Sequence, residues 1–129
     1  MKRLIVDVRP GEYAVTRLAS DAPVPGGLLD LTGVLVSVTR TPAELSVIAP
    51  ASFELDGDTV EKGWRLLTVR GPLEFTLTGI MAALSGELAA AGVSLFALST
   101  YDTDHLLVKA DTLDAAVAAL EGAGIRVRA

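Results

Sequence analysis

Leu4, Val6 and Val8 are apolar at a spacing of two, with Asp7 between the last pair, which predicts a strand over residues 4–8, and Gly11 predicts a turn into a second strand over 13–18. Residues 19–33 hold Pro23, Pro25, Gly26, Gly27 and Gly33 and predict a loop, with room for one helical turn at Leu28-Leu29-Asp30-Leu31. Strands are expected over 34–38 and 45–49 on either side of the polar turn 39–44. The stretch 50–62 is polar, carries an Asp56-Gly57-Asp58 turn, and is where the chain is expected to divide. A strand over 64–69 follows and ends at Gly71-Pro72.

The period changes after residue 78. Ile80, Met81, Leu84, Leu88 and Ala91 recur every three to four positions, the spacing of one buried helix face. Thr78 is placed to cap that helix, and Gly92 suits the left-handed position just past its end. Residues 93–98 read as an apolar strand without alternation, as expected if both its faces are covered. Another strand is expected over 106–109. Asp111 or Thr112 then caps a last helix with Leu113, Ala116, Val117 and Leu120 inward, ended by Gly122 or Gly124. A final strand over 125–127 completes the order strand, helix, strand, strand, helix, strand, the ferredoxin-like arrangement. Residues 38–48 also lie on 98–108 as an internal echo: apolar strand, Thr-rich polar turn with a late acid, apolar strand. The alternative is two unrelated hairpins, since turn chemistry converges readily.

At 129 residues the chain can bury one core, or two small subdomains. It has no cysteine, which excludes disulfides, thiolate metal sites and a cysteine nucleophile. A net charge of -5 without a basic stripe argues against nucleic acid, whose phosphates need a cationic surface. No apolar run approaches the ~18 residues of a membrane span, and Met1-Lys2-Arg3-Leu4-Ile5-Val6-Asp7 turns acidic too early for a signal peptide, so a cytoplasmic protein is expected.

Candidate catalytic chemistry is sparse. Asp102 and Asp104 could converge on an oxygen-loving cation, but His105 would then point to the opposite face of an extended segment, so no metal is expected. His105 is also the sole histidine open to a Ser/His/Asp site, and no Gly-x-Ser-x-Gly elbow exists. Gly26-Gly27 lacks the Lys-Ser/Thr pair of a phosphate loop. Trp64 reads as a core or interface anchor rather than a cofactor platform. Neither an enzyme nor a cofactor is expected.

Several segments carry a family resemblance: Gly11-Glu12-Tyr13-Ala14-Val15, the run 36–46, Lys62-Gly63-Trp64-Arg65, Leu77-Thr78-Gly79-Ile80, and Leu98-Ser99-Thr100-Tyr101-Asp102-Thr103-Asp104. In this order they resemble the regulatory ACT domains of aspartokinases and, more closely, the small tandem-ACT proteins related to the arginine sensors called CASTOR. The resemblance implies an α+β fold of two ferredoxin-like ACT (βαββαβ) units side by side, 1–60 and 61–129. The N-terminal unit would be degenerate, with few helices. It further implies a non-enzymatic regulator that senses a free amino acid, bound where a helix N-terminus of one unit meets strand and turn residues of its neighbour, and a homodimer paired edge to edge.

The candidate ligand residues follow from both arguments. An amino acid's carboxylate suits the backbone N–H groups at a helix start, here Gly79, Ile80 and Met81, with no Gly79 side chain in the way. Its ammonium suits Ser99, Thr100 and the carboxylate of Asp104, and Tyr101 could cover its side chain. A plain helix start would equally explain Gly79, and a solvated turn would explain Asp102 and Asp104. Asp104 is favoured over Asp102 because the resemblance falls on it. The alternative function is an interaction or oligomerisation module that needs no ligand.

Overall fold

The two strands expected on either side of Gly11 are one. In the computed structural model, which describes residues 4–57, 59–71 and 79–129, β1 runs unbroken over Ile5–Leu18. Gly11 sits inside it at φ 83, a left-handed conformation that costs glycine little, so the strand continues through it instead of ending. The strand expected over 64–69 likewise starts earlier: β4 spans Thr59–Val69, with Gly63 at φ 80. The polar stretch expected to hold the division therefore already contains strand. The chain forms two compact units, residues 1–10 with 65–129, and residues 11–64. The sequence reading placed a single cut at 60/61 instead. The difference arises because both long strands pass from one unit into the other beside these glycines.

The first unit contains the start of β1, the end of β4, α1 (Ile80–Ala90), β5 (Leu95–Ser99), β6 (Asp104–Lys109), α2 (Leu113–Gly122) and β7 (Arg126–Arg128). A single-turn helix, Ala110–Thr112, leads into α2. The hydrogen-bonded order is β7-β1-β4-β6-β5. From β4 onward the expected strand-helix-strand-strand-helix-strand order is present, so the unit has the ferredoxin-like, α+β plan. One detail differs from the expectation. The final strand pairs with β1 in parallel, Ile5 opposite Arg126 and Asp7 opposite Arg128, and β1 occupies the place beside β4.

Alternate residues of the strands, Val6, Leu67, Val69, Leu106 and Val108, are fully or almost fully buried with Leu84 and Leu88 of α1 and Leu120 of α2 in one cluster. Both helices end alike. Gly92 (φ 74) and Gly124 (φ 87) take the left-handed position, while Val93 N–H donates to Leu88 C=O (2.9 Å) and Ile125 N–H to Leu120 C=O (3.0 Å). That is the Schellman arrangement, and it drops Val93 and Ile125 onto the core.

At the start of α2 the expected side-chain cap is not formed. Thr78 lies outside the described residues, as do Leu77 and Asp58. The residue preceding α1 is Gly79, which makes no side-chain cap. The Thr112 hydroxyl donates back to Lys109 C=O (2.9 Å) instead of accepting from α2, because the single-turn helix already satisfies that entry. Strand β5, expected to be covered on both faces, is instead at the end of the strand order, and Phe96 is 37 % exposed. An unalternating apolar run fits an edge as well as a centre when nothing in the sequence marks its neighbours.

The second unit is ordered β2-β3-β1-β4, with β2 at Ser37–Arg40 and β3 at Leu45–Pro50, both antiparallel to their partners. Its hairpin turn is held by Thr41, whose Oγ1 accepts from the N–H groups of Ala43 (3.1 Å) and Glu44 (3.2 Å). Arg40 donates to the carbonyls of Ser20 and Ala22, tying the long loop to β2. The expected helical turn forms at Leu28–Asp30, and fully buried Leu28 packs with Leu45, Val47 and Ala49. It is the sole helix among the described residues of this unit, so the expected shortage of helices holds.

Candidate functional site

The β5–β6 hairpin carries four of the seven predicted ligand residues, and its register explains their positions. Ser99 stands opposite Asp104 across the ladder, and its hydroxyl donates to Asp104 Oδ1 at 2.5 Å. Thr100 closes the turn: its N–H donates to Thr103 C=O (2.8 Å) and its hydroxyl to the same oxygen (3.2 Å). Tyr101 at the tip is 82 % exposed. Thr103, which the sequence reading did not single out, fixes the turn by donating its hydroxyl to Val69 C=O at the end of β4 (2.6 Å). A threonine in a Thr-rich polar turn gave no sign of that long-range role.

The other three residues begin α1. The first helical bond is from Ala83 N–H to Gly79 C=O (2.8 Å), so the N–H groups of Ile80 and Met81 have no acceptor within the helix. The Ile80 side chain is buried in the core and Met81 packs against it, so what these two residues can offer a ligand is backbone. Gly79 stands at φ 81, with nothing within 4 Å of where a Cβ would sit. Its backbone conformation alone requires glycine, whatever binds there.

Topology relates the two groups. The eleven residues of α1 rise about 16 Å, and the five of β5 return about the same distance. The Gly92 turn reverses the chain between them, so the hairpin turn lies level with the helix start. N–H donors without an acceptor in the helix, and hydroxyl, carbonyl and carboxylate acceptors, thus share one end of the unit. That donor and acceptor set is complementary to a zwitterion.

His105 faces away from Asp104's side of the strand, as alternation demands, and its Nδ1 lies 3.0 Å from Thr68 Oγ1. Burial lowers its pKa below the ordinary histidine value, Arg9 lowers it further, and Asp104 opposes both. The folded state thus resists a proton that the unfolded chain accepts. Stability is then highest above pH ~6.5 and declines as pH falls from there toward the folded-state pKa. Urea unfolding between pH 7.5 and 5.5 checks this: the parent should lose more stability than His105→Gln, and parallel curves would show that His105 carries none of the dependence.

No helix of the described residues is long and apolar enough to cross a membrane, and no three His, Asp or Glu side chains among them gather as a metal site. The second unit has an open cleft of about 240 Å³ lined by Thr16, Phe53, Glu54 and Asp56, among others. None of the predicted ligand residues lines it.

Comparison with known proteins bears on the family and the fold. The ACT domain family matches residues 59–122. The human cytosolic arginine sensor for mTORC1 subunit 1 is 39% identical over 108 residues, 80% of this chain. Those residues are 32% of the human protein, so the chain spans about a third of the length of the curated relatives it matches. Among solved structures, Atu0741 from Agobacterium tumefaciens superposes with a TM-score of 0.88 at 31% identity, covering 98% of this chain and 93% of that one. The ligand-free regulatory subunit of aspartate kinase from Thermus thermophilus shares the fold, with a TM-score of 0.62 at 13% identity over 92% of this chain and 95% of its own. The chain therefore belongs to the same family as Atu0741 and carries an ACT domain in its second half.

Proposed function

We propose that this protein is a non-enzymatic regulatory module that binds a free amino acid at the end of its first unit where α1 begins. The N–H groups of Ile80 and Met81, beside Gly79, receive the carboxylate. Ser99, Thr100 and Asp104 receive the ammonium, and Tyr101 covers the side chain. What supports this reading is a helix start whose first N–H groups have no acceptor within the helix, together with a hairpin turn rich in acceptors that the lengths of α1 and β5 bring to the same end of the unit. The names of the relatives, an arginine sensor and an aspartate kinase regulatory subunit, support a sensing role. We further propose that the second unit, residues 11–64 in place of the expected 1–60, is a degenerate ACT-like unit and that the protein works in the cytoplasm.

A second reading has its own support. The apolar residues of β5 lie at the end of the strand order with Phe96 part exposed, which favours a module that pairs with another copy of itself, as a homodimer, without a ligand. Thermal denaturation against the twenty common amino acids separates the two. A ligand at a hundredfold its dissociation constant stabilises by about 2.7 kcal/mol, a shift of several degrees for a chain of this size. A shift with one amino acid or a related few supports sensing. No shift with any, together with a concentration-dependent melting temperature, supports the pairing module.

A further inference from the structure

The arginines of the first unit are segregated. Residues 4–10 and 65–129 contain five, Arg9, Arg65, Arg70, Arg126 and Arg128, and none lies on a helix. The helices α1 and α2 carry Glu87, Asp114 and Glu121 and no basic residue at all. Strand alternation sorts the arginines further. Val6 and Val8 of β1 face the core, as do Leu4 just before it and Val127 of β7, so Asp7, Arg9, Arg126 and Arg128 are on the opposite face. Arg128 is the cross-strand neighbour of Asp7, and Arg9 follows Asp7 on the same face two residues on. Arg70, just past β4, closes on Asp7 with two bonds, Nε to Oδ2 at 3.1 Å and Nη2 to Oδ1 at 2.5 Å.

These four residues form a compact constellation with one acid at its centre. The fork of Arg70 is occupied by Asp7, while Arg9 and Arg128 stand roughly 5–7 Å away along and across the strands. Three guanidiniums against one carboxylate leave an excess of two positive charges, and Arg126 adds a third beside them. The field is felt at Asp7, whose carboxyl is held below its usual range by Arg70 first and by Arg9 and Arg128 as well. Asp7 already occupies a position that an external oxyanion would take.

We propose that this open face of the β7–β1–β4 sheet, with Arg9, Arg70 and Arg128 around Asp7, is a binding site for a compact polyvalent oxyanion. The ligand carries two or more phosphoryl or carboxylate groups a few ångströms apart. The span of the guanidiniums suits such an anion, and the excess charge suits a dianion or trianion. An extended acidic peptide would need a longer row of cations than β7, three residues long, supplies. Asp7 acts as a built-in competitor: it holds Arg70 in place in the free protein and weakens the binding of any anion that approaches. This site is separate from the amino-acid site proposed above and does not depend on it.

The opposite signs expected from neighbouring substitutions make the proposal testable. Sodium tripolyphosphate and sodium citrate are titrated into the full chain by calorimetry, with sodium chloride matched for ionic strength. Saturable binding of either is expected, tripolyphosphate alone marking a phosphoryl ligand and citrate alone a carboxylate one. Arg9→Gln and Arg128→Gln should each weaken it about fivefold or more, as expected for the loss of one charge-assisted contact. Asp7→Asn should strengthen it by a similar factor, a gain that a general loss of structure would not produce. Melting temperatures verify that the exposed arginine variants remain folded. No saturable binding of either salt, or weaker binding by a folded Asp7→Asn variant, overturns the proposal. Binding of poly-glutamate but of neither salt also overturns it, and assigns the face to an acidic protein surface.

Discussion

Leu84→Ala is expected to lower the unfolding free energy by about 2–5 kcal/mol, the range for truncating a fully buried leucine in a packed core. Leu84 lies in the middle of α1 with no exposed surface, in the cluster formed by α1, α2 and the inward residues of β1, β4 and β6. Removing three side-chain carbons there, a methine and two methyls, forfeits transfer free energy and leaves a cavity that the sheet, pinned by its ladders, can fill only in part. Urea unfolding followed at 222 nm reports on this unit in particular, because both α-helices belong to it. Leu29→Ala is the control, since Leu29 is 67 % exposed and its loss should change stability by only a few tenths of a kcal/mol. A Leu84→Ala cost below about 1 kcal/mol would mean that α1 does not pack on the sheet through this residue.

Asp104→Asn is expected to weaken amino-acid binding by about 2 kcal/mol, roughly thirtyfold in Kd, if its carboxylate receives the ligand's ammonium. The residue is half-buried at the first position of β6, with Ser99 donating to Oδ1. That bond orients the carboxylate and leaves its other oxygen for a second donor. The amide keeps the shape and one acceptor and removes the charge, so folding should be nearly unaffected. Asp102→Asn is the control: Asp102 is exposed in the turn, and its substitution should shift the affinity by far less. Calorimetry on both variants, with whichever amino acid stabilises the parent, decides the matter. Equal affinities for Asp104→Asn and the parent would remove this residue from the site.

The helices and their C-terminal ends were legible in the sequence because their signals are local. Ile80, Leu84 and Leu88 keep the spacing of one helix face whatever surrounds them, and Gly92 ends α1 through its own backbone freedom. The hairpin from Ser99 to Asp104 was legible for the same reason: a polar, Thr-rich interval between two apolar runs closes on itself. What the sequence left open was decided by partners far along the chain. Gly11 reads as a turn, and a continuous β1 forms instead because Tyr13 to Leu18 pair with β3 while Ile5 to Asp7 pair with β7. The apolar residues of β5 do not state whether they lie at a centre or an edge; the order of strands set that.

The ligand residues divide in the same way. Their chemistry was visible one residue at a time, but the bond from Ser99 to Asp104 and the anchoring of Thr103 on Val69 depend on register and on a strand more than thirty positions away. The arginine constellation around Asp7 left no trace in the sequence. Its members are scattered from Arg9 to Arg128, and only the pairing of β7 with β1 brings them to one face. Short-range backbone preference thus determined which elements this chain makes, while long-range strand pairing decided which side chains meet, because a ladder joins residues by register rather than by sequence distance.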